Sequence, residues 1–112
     1  MNELKTIDLK GKKYVQVVER LKYFREHFKD GKIITTAKIE AGAILFTAEI
    51  YIGGKKVATG HGLKGLKSEF NAEKAETRAI GRALAIAGIG LDCGISSYEE
   101  AQEFFNKGEN NE

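Results

Sequence analysis

The sequence predicts an α+β domain: a first helix, a three-stranded antiparallel β-meander, a long helix packed on one face of the sheet, and a short C-terminal helix. Three observations carry this. The segment Ala43–Ile52 alternates, with Ile44, Phe46, Ala48, Ile50 and Ile52 on one face and Leu45, Thr47, Glu49 and Tyr51 on the other, which is the period of a strand. Gly53-Gly54 follows it directly, and glycine reaches the positive φ that a two-residue hairpin requires. From Ala72 to Ala87, Ala72, Ala75, Ala79, Ala83, Ile86 and Ala87 share one face at 100° per residue, which marks an amphipathic helix able to approach its neighbour closely.

In chain order, Met1 to Lys13 is a charged lead-in with a turn at Gly11, and Leu4, Ile7 and Leu9 would suit an edge strand. Tyr14 to Phe28 reads as the first helix. Tyr14, Val17, Val18, Leu21, Phe24 and Phe28 recur at spacings of three and four, with Glu19, Arg20, Lys22 and Glu26 outward. Asp30-Gly31 ends it. Ile33–Ile39, Ala43–Ile52 and Lys56–His61 are the three strands, and Ala41-Gly42 turns the first hairpin. Gly62 to Asn71 reads as a loop carrying Lys64 and Lys67 around Gly65. The long helix runs from Ala72 to Ala87, and Gly88 and Gly90 stop it. Ser97-Tyr98-Glu99-Glu100 is a capping-box pattern that opens a last helix through Phe105. Residues 1–107 form one domain, and 108–112 read as a polar tail.

The 112 residues suit one domain with one modest core, and 30% charged against 42% hydrophobic content is that of a globular chain. The net charge of +2 is too small to define a partner by itself, so the positions of the cations must do so. One cysteine, Cys93, allows no intrachain disulfide and fits a reducing, cytoplasmic setting. The polar N-terminus resembles neither a signal peptide nor a membrane span, so no membrane association is expected.

Catalytic and metal chemistry find little support. His27 falls at a helix end and His61 at a strand end, and neither has Cys93 at ligand spacing. Cys93 has Leu91, Asp92, Gly94 and Ile95 around it, which supply no activating base, so it reads as a small packed residue. Gly60-His61-Gly62-Leu63-Lys64-Gly65 matches G-x-G-x-x-G in letters only. That motif holds a dinucleotide at a parallel strand-to-helix turn, whereas this copy ends an antiparallel meander. No cofactor or metal is expected.

The cations are grouped. Lys10, Lys12 and Lys13 precede the first helix, Lys55 and Lys56 sit at the hairpin tip, and Lys64 and Lys67 lie in the following loop. Lys74, Arg78 and Arg82 recur at i, i+4 and i+8, steps of about 6 Å along a helix, a spacing suited to a phosphate backbone. The acids Glu99, Glu100, Glu103, Glu109 and Glu112 gather at the C-terminus. Segregated charge of this kind suits nucleic-acid binding through Lys55, Lys56, Lys64, Lys67, Lys74, Arg78 and Arg82, with Tyr51 available to stack on a base. Phe70 either stacks similarly or makes a hydrophobic contact at the helix start. Glu76 falls beside Ala72, Ala79 and Ala83 and needs a partner. The candidates are a base of the first helix, a residue of a second subunit, or solvent at the edge of the face. Leu45 and Tyr51 on the open sheet face suit a stacking surface or a subunit contact.

Several segments resemble phage single-strand annealing and single-stranded-DNA-binding recombination proteins of the Sak/Erf kind, related in fold to the Rad-fifty-two annealer. These are Tyr14-Val15-x-Val17-x-Glu19-Arg20 with Phe24-Arg25, then Ala58-Thr59-Gly60-His61, Asn71, and Ala72-Glu73-x-Ala75-Glu76-Thr77-x-Ala79-Ile80-Gly81-Arg82-Ala83-Leu84. Gly88-Ile89-Gly90 and Ile95-Ser96-Ser97-x-Glu99-Glu100 complete the set. Glu76 to Leu84 is its most specific part. The chain lacks the extended C-terminal region of larger annealers. The resemblance implies a non-enzymatic homo-oligomer that binds single-stranded DNA in a basic groove between hairpin and helical body and promotes strand pairing without ATP or metal. It would act in the cytoplasm, that of a bacterial host if phage-encoded. Two alternatives remain. The helix–three strands–helix order is also that of the double-stranded-RNA-binding domain, which reads A-form shape. That fold carries a lysine cluster at the start of its last helix, where this chain interleaves acids, from Lys67 to Lys74. The third reading is a small protein-interaction or inhibitor domain using the open sheet face.

Overall fold

The computed structural model describes residues 4–67 and 71–109, and side chains as far as Asn106. A β-hairpin, β1 (Thr6–Leu9) and β2 (Lys12–Val15), leads into helix α1 (Val17–His27). The meander follows as β3 (Lys32–Glu40), β4 (Ala43–Ile52) and β5 (Lys55–Gly65), in sheet order β3-β4-β5 and antiparallel throughout. Helix α2 (Asn71–Ile86), a 3₁₀ turn at Leu91–Cys93 and helix α3 (Tyr98–Glu109) complete the α+β chain. The last helix thus continues past Phe105 into the segment expected to be a tail.

Turn chemistry sets the hairpins. Gly53 and Gly54 have φ of 62° and 80°, and Lys10-Gly11 and Ala41-Gly42 take the same doubly positive form. In the sheet, Thr35 faces Ala48 and Ala48 faces Gly60, so one face carries Ile44, Ala48, Ile50 and Ala58 against the helices. These pack with Phe24, Ala79, Ala83, Leu84 and Ile89 into the core. Leu45, Thr47, Glu49 and Tyr51 lie on the opposite, uncovered face as the alternation predicts.

The first correction concerns β5. It runs to Gly65, so the first four residues of the expected loop, Gly62 to Gly65, are strand, and Lys64 sits in register with Ile44. Gly60 and Gly62 weaken strand propensity, which hid the strand. They are there because α2 lies directly on them. A Cβ on Gly60 would meet Ala79 O at 2.6 Å and Ala83 Cα at 2.9 Å, and one on Gly62 would meet Ala79 N at 2.9 Å. The glycine motif is therefore a seat for a helix made of small residues. Gly88, at φ 105°, ends α2, with Gly88 N–H donating to Ala85 O and Ile89 N–H to Leu84 O, which is a Schellman cap.

The second correction concerns the first helix. Tyr14 belongs to β2 and pairs with Ile7, and the helix begins only at Val17. Starting there, its inward positions are Val17, Arg20, Leu21 and Phe24, at i, i+3, i+4 and i+7. Val18, expected inside, is 50% exposed, and Arg20, expected outside, is fully buried. The Arg20 guanidinium donates from Nη1 to Gly81 O (3.1 Å) and Ile95 O (3.2 Å), and from Nη2 to Gly90 O (3.3 Å) and Gly94 O (2.9 Å). Burial pulls its pKa below the usual arginine value, while Cys93, Glu99 and Glu100 act to keep the charge.

Glu76 finds a hydroxyl. Thr35 Oγ1 donates to Glu76 Oε2 at 2.9 Å, so the carboxylate is held by a β3 hydroxyl of the same chain, a partner outside the three candidates the sequence offers. Ala83→Leu should destabilise the fold by about 1–3 kcal/mol through overpacking against Gly60, measured by urea unfolding. Arg20→Met should cost more, about 3–5 kcal/mol, because one buried and three part-buried hydrogen bonds from a charged donor are lost together. Circular dichroism at increasing urea reads both, and an Arg20→Met midpoint equal to the parent's would show that the guanidinium holds nothing.

Candidate nucleic-acid interface

The eight residues singled out from the sequence do not form one groove. Lys55 and Lys64 stand at opposite ends of β5, nine residues or about 30 Å apart at the rise of a strand. Tyr51 lies on the open face of the sheet, whereas Lys64, paired with Ile44, points to the helical face. The set divides into a sheet-face group and a helical-face group.

On the sheet face, Lys56 Nζ meets Glu49 Oε2 at 3.1 Å, and the Tyr51 hydroxyl donates to Glu49 Oε1 at 3.4 Å. The Glu49 hydrogen bond and charge raise the Lys56 pKa. Lys32 Nζ lies 5.3 Å from the centroid of the Tyr51 ring. His61 shares a 3.2 Å hydrogen bond with Thr47 Oγ1. Ile34, Val57 and Leu63 are exposed on the same sheet. Lys55 is exposed at the hairpin tip.

On the helical face, Lys64, Lys74, Arg78 and Arg82 do converge. The acids expected to lie elsewhere converge on them. Glu103 Oε2 is 2.8 Å from Lys64 Nζ and 3.8 Å from Lys74 Nζ, and its Oε1 is 2.7 Å from Arg78 Nη2. Glu100 Oε2 is 2.6 Å from Arg82 Nη1 and 4.0 Å from Arg78 Nε. Acids remote in sequence are neighbours in space because the chain turns by 112° between α2 and the segment that carries α3. Ser97 opens that last helix. Ser97 Oγ accepts from Glu100 N–H at 3.2 Å, while the Glu100 side chain turns to the arginines and leaves the reciprocal half of the box unmade. Glu99 Oε1 accepts from Val17 N–H at 3.1 Å and so caps α1 from α3. Lys67 is exposed in the turn beyond β5, and Phe70 lies outside the described residues.

Neither histidine joins this network. His27 stacks on Tyr23 with ring centroids 3.9 Å apart at the exposed end of α1. Cys93 is half-buried beside the Arg20 cluster. Among the described residues no group of three or more His, Cys, Asp or Glu side chains could hold a metal ion, and no single helix is long and apolar enough to cross a membrane.

Helix, three-stranded meander and helix stacked on one sheet face define an α+β domain with an α-β-β-β-α unit at its centre. A family model described as Slr1353 N-terminal dsRNA-binding domain-like matches residues 21–87, more than half of the chain, and the chain belongs to that family. The matched segment runs from the middle of α1 to the end of α2, so the β1–β2 hairpin and α3 fall outside it. No curated protein and no solved structure matches the chain at a significant level.

Glu103 titrates below the usual glutamate range. Burial, the largest influence, acts to raise its pKa, but the Lys64 hydrogen bond and the charges of Lys64, Arg78 and Lys74 together outweigh it. A depressed folded-state pKa means that its pairing stabilises the fold above the ordinary carboxylate pKa and is lost as pH falls through the lowered value. In an NMR titration the Glu103 carboxyl should therefore protonate at lower pH than a free glutamate, and Arg78→Ala should move it back upward.

Proposed function

We propose that the protein is a non-enzymatic nucleic-acid-binding module that recognises duplex RNA by shape. The observation that carries this reading is the family match over 21–87, which takes in the whole meander and α2. Recognition of A-form helices rests on phosphate and 2′-hydroxyl contacts spread over successive grooves. It asks for a rigid body with spaced cations and needs no enclosed pocket. Exposed Lys67, before α2, and Lys74, in its first turn with a side chain 56% exposed, supply such cations at the junction of β5 and α2.

A second reading, single-stranded-DNA binding with strand pairing, draws support from the resemblance carried by Glu76 to Leu84. It would use the open sheet face, where Tyr51 stands between Lys32 and Lys56, with His61 farther along the same face beside Thr47. That reading also includes self-association, which light scattering would register as a species larger than 12.3 kDa.

Fluorescence anisotropy with duplex RNA, duplex DNA and single-stranded DNA at two salt concentrations separates the readings. Duplex RNA should bind tightest, with log K falling by roughly 0.9 for each phosphate neutralised per unit log salt, as for a duplex of DNA. Tightest binding to single-stranded DNA would put the second reading in its place. No binding to any of the three would remove both.

A further inference from the structure

We propose that Lys64, Arg78 and Arg82 form a phosphate-binding strip for which Glu100 and Glu103 of α3 are intramolecular competitors. The inference rests on the nucleic-acid-binding reading above and adds a second contact surface, and its control, to that reading.

The geometry is that of an occupied anion site. A carboxylate and a phosphate are alternative partners for the same guanidinium fork and ammonium. Glu103 bridges Lys64 and Arg78 at 2.8 and 2.7 Å, and Glu100 takes Arg82 at 2.6 Å and reaches Arg78. Three residues apart on one helix, the two acids follow a cation row that advances one helical turn at a time. They stand along α2 as two successive anionic groups of a backbone would.

Over this row α3 is held by charge, and its apolar contacts lie to one side, on the β1–β2 hairpin. Ala101 is buried and Phe105 half-buried with Lys10 Nζ 5.7 Å from its ring centroid, while Phe104 is 71% exposed. Between α2 and α3 lies a cavity of about 390 Å³ lined by Lys74, Thr77, Arg78, Ser97, Gln102 and Glu103 among others. Glu100 Oε1 is buried there without a hydrogen-bond partner, so the acid-on-arginine fit leaves one oxygen unsatisfied. Partly exposed ion pairs of this kind contribute little net stability, which makes them exchangeable for a polyanion. α3 also lies outside the segment matched by the family model.

A tethered competitor lowers apparent affinity by the fraction of molecules in which it is displaced. If α3 is displaced in about a tenth of molecules, uncovering the strip tightens binding about tenfold. The test compares the full chain with Glu100→Gln/Glu103→Gln and with Glu103→Gln alone, the milder change should the double variant lose its fold. The probe is an RNA duplex of about 20 base pairs, longer than the roughly 16 that a duplex-RNA-binding domain spans. Anisotropy at two salt concentrations and hydrogen exchange of α3 amides are the readouts.

The expected result is binding tighter by about tenfold in the double variant and by a smaller factor in Glu103→Gln. The salt slope should steepen by about two units as cations become available. RNA should raise α3 exchange in the parent protein. Parent-like affinity and slope in both variants, with α3 exchange unmoved by RNA, overturn the inference while leaving duplex binding in place. If neither the parent nor the variants bind RNA, the functional reading falls and this inference with it.

Discussion

The Arg20 guanidinium is the interaction on which the rest of the molecule depends. It is a buried cation with no carboxylate in hydrogen-bond contact, satisfied by four backbone carbonyls drawn from α2 and from the segment between Gly90 and Ile95. Gly81 lies in the middle of α2, where a Cβ would meet Val17 Cγ2 at 2.8 Å, so α1 approaches α2 closely enough for the arginine to reach across. Gly90 and Gly94 flank the 3₁₀ turn with φ of 71° and 94°, and their bend turns carbonyls inward. Hydrogen bonds to a charged donor are worth more than neutral ones, and the planar fork of an arginine distributes them over a fixed arc that a lysine could not cover. One Nε–H remains unpaired, so the hub is incompletely satisfied even so. By fixing the segment from Gly90 to Ile95, Arg20 also fixes where α3 begins, and with it the placement of Glu99 on α1 and of Glu100 and Glu103 on α2.

A second constraint is the close seating of α2 on the sheet. Gly60 and Gly62 remove side chains from β5 where Ala75, Ala79 and Ala83 pass over it. Small residues on both sides bring backbone to backbone, a loss of side-chain burial offset by dense packing. Because the alanine face is consumed by β5, the Lys74–Arg78–Arg82 row lies to one side, between the β5 edge of the sheet and α3. Lys64 joins the row because the strand period puts it on the helical side, in register with buried Ile44. The composition of one helix face therefore decides which cations meet.

The meander and the long helix were legible because period and turn chemistry agree. Ala43–Ile52 alternates without interruption, and Gly53-Gly54 permits one kind of turn. The rest was hidden for identifiable reasons. The end of β5 reads as a loop because glycines serve a packing need that propensity does not encode. The burial of Arg20 has no sequence signal, since its partners are backbone carbonyls 61 to 75 residues away. Its one trace is positional: with the helix opening at Val17, residue 20 must face inward. The β1–β2 hairpin was half visible, in the apolar Leu4, Ile7 and Leu9 and in Gly11, but Tyr14 and Val15 were drawn into the helix by their spacing from Val17 and Val18.

Charge segregation along a sequence does not imply segregation in space, and the candidate site turns on that difference. Acids gathered after residue 97 suggest a basic surface left clear, yet α3 brings Glu100 and Glu103 onto the basic row. A net charge of +2 thus conceals two unlike faces. On the helical face the strongest cations already have anionic partners, so any external polyanion must exchange with a carboxylate, and the gain is the difference between two similar interactions. On the open sheet face, Glu49 bonds Tyr51 and Lys56, while Lys32 rests over the Tyr51 ring. A ligand there gains from contact with exposed apolar and aromatic groups as much as from charge. Binding to the first face should respond chiefly to changes in Glu100 and Glu103, and binding to the second to changes in Tyr51 and Lys32. The two faces are therefore separable by mutation even if both serve the same nucleic acid.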